Sequence, residues 1–317
     1  WPRAIIRLPV EWHDFYVVNF AVIVLGFIAA NLAGGVPWVA LAFPALMLTV
    51  FFVAPFSIMI AVSFFRRDPA GFYKPDFVLD NYARFLTAFF GSVLGFSLML
   101  AVMVAVCCVA IGFPFTYLLT RCARRVQTVW LVCLLSVLSL SEVIIGFSWS
   151  TLFSRTAGIT NILVALGLMD EPVALLPSFG AVLTGMVYQA LPYTILVLYP
   201  ALVRLDPTLL EAARTLGCSP PRAFFNVVMP ALRNSIVATL IMVFVFALGS
   251  YLLPQILGRP QHWTLSVLIT DQAIYQSNMP FAAAMAISMW RLFGTQMSTA
   301  SMSSRATSAF QSVSTDS

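Results

Sequence analysis

One carboxylate in this chain stands inside a long apolar run: Glu142, in SEVIIGFSW (Ser141–Trp149). An ionisable group at membrane depth costs roughly 2.5–3.5 kcal/mol and ordinarily faces a cavity or a partner. The chemistry it could do is electrostatic, since a carboxylate lining a passage attracts a cation. Trp149, Tyr188, Tyr193, Tyr199 and Tyr251 lie in or beside apolar runs and offer faces suited to cation–π contact. Two plainer roles stand beside these. Glu142 can be held by backbone or by Ser139 and Ser141, and the aromatics can serve as packing groups and interface anchors.

Other chemistries find no support in the spacing. The five cysteines (Cys107, Cys108, Cys122, Cys133, Cys218) and the two isolated histidines (His13, His262) lack metal-ligand spacing, so no metal is expected. A phosphate-cradling loop needs glycines followed by Lys-Ser/Thr. The only lysine, Lys74, follows Phe72-Tyr73 and precedes a proline. No catalytic residue and no cofactor are expected in this chain, and no enzyme activity.

A second feature is a polar interruption, EAARTLGCSPPRAFFNVVMP (Glu211–Pro230), between two of the most apolar stretches. Asp206 is an acceptable N-cap and Pro207 suits a first helical position. Glu211 then sits near the favourable end of the helix dipole. Gly217 ends this helix where positive φ is easy only for glycine. Pro221 suits the first turn of a second helix, whose apolar face would be Phe224, Phe225, Val227 and Val228, closed by Pro230. The pattern predicts two short helices forming a compact knob. By physics alone such a segment can also rest on lipid headgroups.

The elements that must position these residues are membrane spans. The 317 residues are 61 % hydrophobic and 9 % charged, where a soluble domain carries about 25 % charged residues. Several runs exceed the roughly 20 residues that cross a bilayer, and nothing alternates as in an outer-membrane barrel. The fold class is all-α and polytopic. Candidate spans are Phe15–Ala33, Trp38–Phe65, Ser92–Thr120, Thr128–Ser150, Phe179–Val203, Ser235–Leu257 and a short Phe281–Phe293. The net charge of +5 does not imply nucleic acid, because the arginines are dispersed over the intervening loops.

The loops differ in kind. Arg66–Tyr82 suits an exposed connection, and Arg121–Gln127 is short and purely basic, hence cytoplasmic on the positive-inside rule. Counting onward places Thr151–Ser178 outside and Arg204–Asn234 inside. Arg3 and Arg7 ahead of Phe15–Ala33 resemble a signal peptide, but Glu11, His13 and Asp14 intervene, so an uncleaved helix is expected. The segments are therefore 1–37 with a candidate extra helix, a transmembrane core over 38–293 containing the polar loop 204–234, and a Ser/Thr-rich tail over 294–317 expected to be disordered. The last span is atypical, since Phe281–Phe293 rises only about 20 Å against a roughly 30 Å core.

Glu211-Ala212-Ala213, three residues, Gly217, nine residues, Val227, one residue and Met229-Pro230 resembles the EAA loop of ABC importer permeases. The family more often has Leu where Met229 stands. The likeness extends over about Ala42–Ala286 and is nearest to the polyamine/ferric-iron/thiamine-type group. LDNYARFL (Leu79–Leu86), SEVIIGFSW, YQALPYTILVLYPALVRLDPTLLEAARTLG, GSYLLPQILGRP (Gly249–Pro260) and NMPFAAAMA (Asn278–Ala286) carry it by their order and spacing. The resemblance implies a six-helix permease core in a bacterial inner membrane. It further implies a second permease chain, ATP-binding cassette subunits that hydrolyse ATP and receive the knob, and an external solute-binding protein. The solute implied is a polyamine such as spermidine or putrescine, with ferric iron, thiamine or another small organic solute as the alternative. A secondary transporter is a further alternative, but such proteins tend to carry several buried ionisable groups.

Overall fold

The computed structural model describes residues 46–47, 49–68, 73–156, 158–167 and 170–289. The candidate helix Phe15–Ala33, the segment 1–37, the tail 294–317 and the end of Phe281–Phe293 lie outside the described residues. All regular structure among the described residues is helical. The chain divides into two units, residues 1–81 with 279–317, and residues 82–278.

In the first unit a π-turn, Thr49–Val53, leads into α1 (Ala54–Ser63), with Pro55 in the first turn where its missing N–H is harmless. The described residues of the loop that follows are mostly exposed, as expected. An antiparallel bridge joins Arg66 to Lys74, and Asn81 Nδ2 donates to the carbonyls of Ser63 and Phe65, both at 3.0 Å. The same unit contains the apolar helix Met279–Met289, with Phe281, Ala284 and Met285 buried. The short α2 (Asp80–Phe85) straddles the division between units.

The second unit is organised on two long apolar helices, α3 (Ala88–Arg121) and α7 (Phe179–Val203). At 34 residues, α3 rises about 51 Å, more than a bilayer core needs. It runs unbroken through Pro114, and α7 through Pro192 and Pro200. The two meet closely at Gly112, where a Cβ would lie 2.8 Å from Thr194 Cγ2.

Two of the expected spans are broken. Thr128–Ser150 is not one helix but α4 (Arg124–Leu138) and α5 (Glu142–Leu152), bent by 94°. Ser136 and Ser139 lie just ahead of the break and donate to the carbonyls four residues back, at 2.9 and 3.0 Å. Such back-bonding bends helices. A short α6 (Ile159–Ala165) then precedes α7.

The run Ser235–Leu257 likewise divides. Beyond the polar segment α8 (Pro207–Thr215), the helix α9 (Pro220–Ala231) meets α10 (Arg233–Gly249) at 74°. The latter stops at extended Ser250, and a separate α11 (Leu252–Leu257) begins. Pro254 explains the restart. It has no N–H for the Ser250 carbonyl, and in the first turn of α11 none is required. Two glycines let α11 settle between α5 and α7. A Cβ on Gly146 would come within 2.8 Å of Ile256 Cδ1, and one on Gly185 within 2.6 Å of Leu257 Cδ1.

Candidate functional site

The predicted knob is present. α8 begins after Asp206, whose Oδ1 accepts the Thr208 backbone N–H at 2.9 Å. That bond, reinforced by the Thr208 side chain, holds the Asp206 carboxyl below its usual range. The helix ends in a Schellman closure, with the Cys218 N–H donating to the Ala213 carbonyl at 3.0 Å and Gly217 at φ +78°. Pro220 and Pro221 occupy the first turn of α9, as their missing N–H groups permit.

The inner face of the knob is bolted to the long helices. Phe224 sits 5.2 Å from the Phe113 ring and 4.9 Å from Tyr117, while Val228 is fully buried beside Leu198 and Leu202. Phe225 departs from expectation, being 59 % exposed. Phe224 and Val228 are four apart and share a face, whereas Phe225 falls on the next one. Of the motif residues, Ala213 is buried and Val227 half-buried, while Glu211, Ala212, Gly217, Met229 and Pro230 are exposed. Leu209, Leu216 and Phe225 add exposed apolar surface. A 590 Å³ cleft joins α8 to the facing ends of α3, α4 and α7. Tyr117, Arg121, Arg124, Gln127, Tyr199 and Glu211 line it, so the basic turn and the knob share one end of the unit.

Glu142 lies at the α4–α5 elbow rather than within a straight span. It is half-buried, and its Oε1 accepts from Ser250 Oγ at 3.0 Å. The expected partners, Ser139 and Ser141, do not hold it. Ser139 instead bonds the Leu135 carbonyl, and Ser141 is the residue before α5. Glu142 and Tyr193 line a 130 Å³ cavity together with Gln189. Trp149 and Tyr188, with ring centroids 5.5 Å apart, line a neighbouring apolar cleft of 360 Å³. Leu140 and Ile145 border both spaces. Tyr251 lines neither; it sits beside Ser250 at the α10–α11 break. Tyr199 belongs to the other end, where its hydroxyl bonds Gln127.

Three polar residues that sequence reasoning passed over therefore matter: Gln127, Gln189 and Ser250. Gln189 carried a signal, being an amide inside an apolar span. The other two became visible only when distant segments met. Among the described residues no cluster of three or more His, Cys, Asp or Glu is placed to hold a metal.

Residues 112–295 match the family described as "Binding-protein-dependent transport system inner membrane component". The spermidine/putrescine transport system permease protein PotB of Salmonella typhimurium (strain SL1344) is 30 % identical over 247 residues, covering 78 % of this chain and 86 % of the relative. PotB of Escherichia coli (strain K12) is equally similar, with 90 % of the relative covered. A bacterial alginate ABC transporter, solved in complex with an alginate pentasaccharide-bound periplasmic protein, contains a chain of the same fold. The TM-score is 0.61 at 17 % identity, covering 78 % of this chain and 86 % of that one.

Proposed function

The chain belongs to the family of inner-membrane components of binding-protein-dependent transport systems, and from that premise we propose that it serves an ATP-driven importer of aliphatic polyamines. It is a multi-pass membrane permease of an ABC importer and not an enzyme. The observation that carries the solute class is the likeness to spermidine/putrescine permeases along most of both chains. The half-buried Glu142, which shares a cavity with Tyr193, agrees with a cationic solute.

In this reading the protein lies in the bacterial inner membrane, with the end that bears Arg121, Arg124 and α8 in the cytoplasm, as its basic turn favours. A second permease, of a different sequence, completes the pore, and an external binding protein delivers the solute. The knob docks on an ATPase subunit that binds and hydrolyses ATP. Support comes from exposed Glu211, Leu209, Leu216 and Phe225 on a base anchored by Phe224 and Val228, a surface able to receive a push and pass it inward.

The test is reconstitution of the chain with its ATPase, partner permease and binding protein in liposomes. ATP-dependent accumulation of radiolabelled spermidine or putrescine is expected. ATP-dependent uptake of thiamine, ferric iron or a sugar, without polyamine uptake, would overturn the solute assignment.

A further inference from the structure

We infer that the α4–α5 elbow holds a subsite for one terminal ammonium of the solute, with the Glu142 carboxylate and the Gln189 side-chain carbonyl as its acceptors. The inference rests on the polyamine reading above and says where in this chain the charge is met.

Buried polar atoms are ordinarily satisfied. Gln189 Oε1 is buried and has no hydrogen-bond partner among the described residues. Gln189 is among the residues that line the 130 Å³ cavity Glu142 also lines. Ser250 uses one of the roughly four acceptor positions of the Glu142 carboxylate and fixes its orientation. Glu142 is also the first residue of α5, where the helix dipole favours negative charge. Tyr193, propped against Phe246 at 4.9 Å, brings a ring to the same wall. An ammonium has three donors and no acceptor, so it matches such a wall. A carboxylate or phosphate would be repelled by Glu142.

Size supports the same assignment. A water takes about 30 Å³ in the liquid. The cavity of 130 Å³ thus has room for an ammonium with a few methylenes, not for a whole polyamine. The adjoining 360 Å³ cleft, apolar apart from Ser148 and the polar tips of Trp149 and Tyr188, suits the alkyl chain that follows.

The experiment uses the complete importer in proteoliposomes at saturating binding protein, with KM and maximal rate of spermidine uptake measured separately. Gln189→Leu and Glu142→Gln should each raise KM about tenfold, the usual scale for a hydrogen bond to a charged group. Gln189→Glu, which keeps an acceptor, should restore KM or lower it. A purely structural Gln189 predicts the opposite, because a second buried carboxylate then harms assembly. Unchanged KM in both Gln189→Leu and Glu142→Gln, with wild-type spermidine uptake intact, overturns the subsite and leaves the polyamine reading standing. Should Gln189→Leu fail to assemble, Glu142→Gln and Gln189→Glu decide by the same KM criterion. Absence of polyamine uptake by the wild-type importer defeats the polyamine reading, and the subsite with it.

Discussion

The Tyr199 hydroxyl donates to Gln127 Oε1 at 2.7 Å, joining residues 72 positions apart. Gln127 Nε2 donates at the same time to the carbonyls of Thr120 (3.2 Å) and Cys122 (2.8 Å). One amide therefore closes the α3–α4 turn and clasps it to the end of α7, four residues before that helix ends at Val203. Since α7 leads directly into α8, this clasp and the apolar contacts both tie the knob's end of the chain to α3 and α4. Gln127→Leu removes all three bonds. We expect more ATP hydrolysed per solute carried, with a stability loss of about 1–2 kcal/mol. Paired uptake and phosphate-release assays check it; an unchanged ratio removes the clasp from the coupling route.

The left-handed residue of the knob makes a second prediction. Gly217 has φ +78° and open space around the missing Cβ, so backbone conformation rather than crowding demands glycine. Gly217→Pro cannot adopt that φ, whereas Gly217→Asn can visit it. The proline variant should insert in the membrane yet lose ATP-driven uptake, while the asparagine variant keeps most of it. Glu211→Lys, which reverses charge on the exposed face, should also uncouple. Uptake at the wild-type rate in both Gly217→Pro and Glu211→Lys counts against docking through the knob.

Asp206 sets the pH response of α8. Its folded-state pKa is lowered by the Thr208 bonds, so its contribution is present above the unfolded carboxylate value and is lost as pH falls through the lower folded value. Acidification through that interval should loosen the first turn of α8, and Asp206→Ala should loosen it at neutral pH. Amide hydrogen exchange at Thr208 and Leu209 reads both effects. Protection that is insensitive to pH and to the substitution would contradict the cap.

The seat of α11 yields a stability prediction. At Gly185 a Cβ would fall 2.6 Å from Leu257 Cδ1, and Leu257 is fully buried. Gly185→Val should cost about 1–3 kcal/mol by overpacking, read as a lower unfolding temperature in detergent. Gly180→Ala, on the same helix with nothing within 4 Å of the added carbon, is the control and should be near neutral.

Much of this protein was legible in its residues because the governing physics is local. Apolar length called for membrane helices, and α3 and α7 formed where the hydrophobic runs stood. Asp206, Pro207, Gly217 and the Pro220–Pro221 pair are start and stop signals that act within a few residues, so the knob followed from them. What tertiary structure alone decided are the relations between remote segments. The breaks after Leu138 and Gly249 are absent from hydropathy, because an apolar run reads alike whether its helix is straight or bent. Those two breaks bring Ser250 to Glu142, a pairing across 108 positions. Gln127 was equally hidden, and Gln189 showed itself only as an amide inside an apolar span, with no hint of its partners. A lone amide gains its role from the groups that fold against it, and no spacing in the chain announces which those will be.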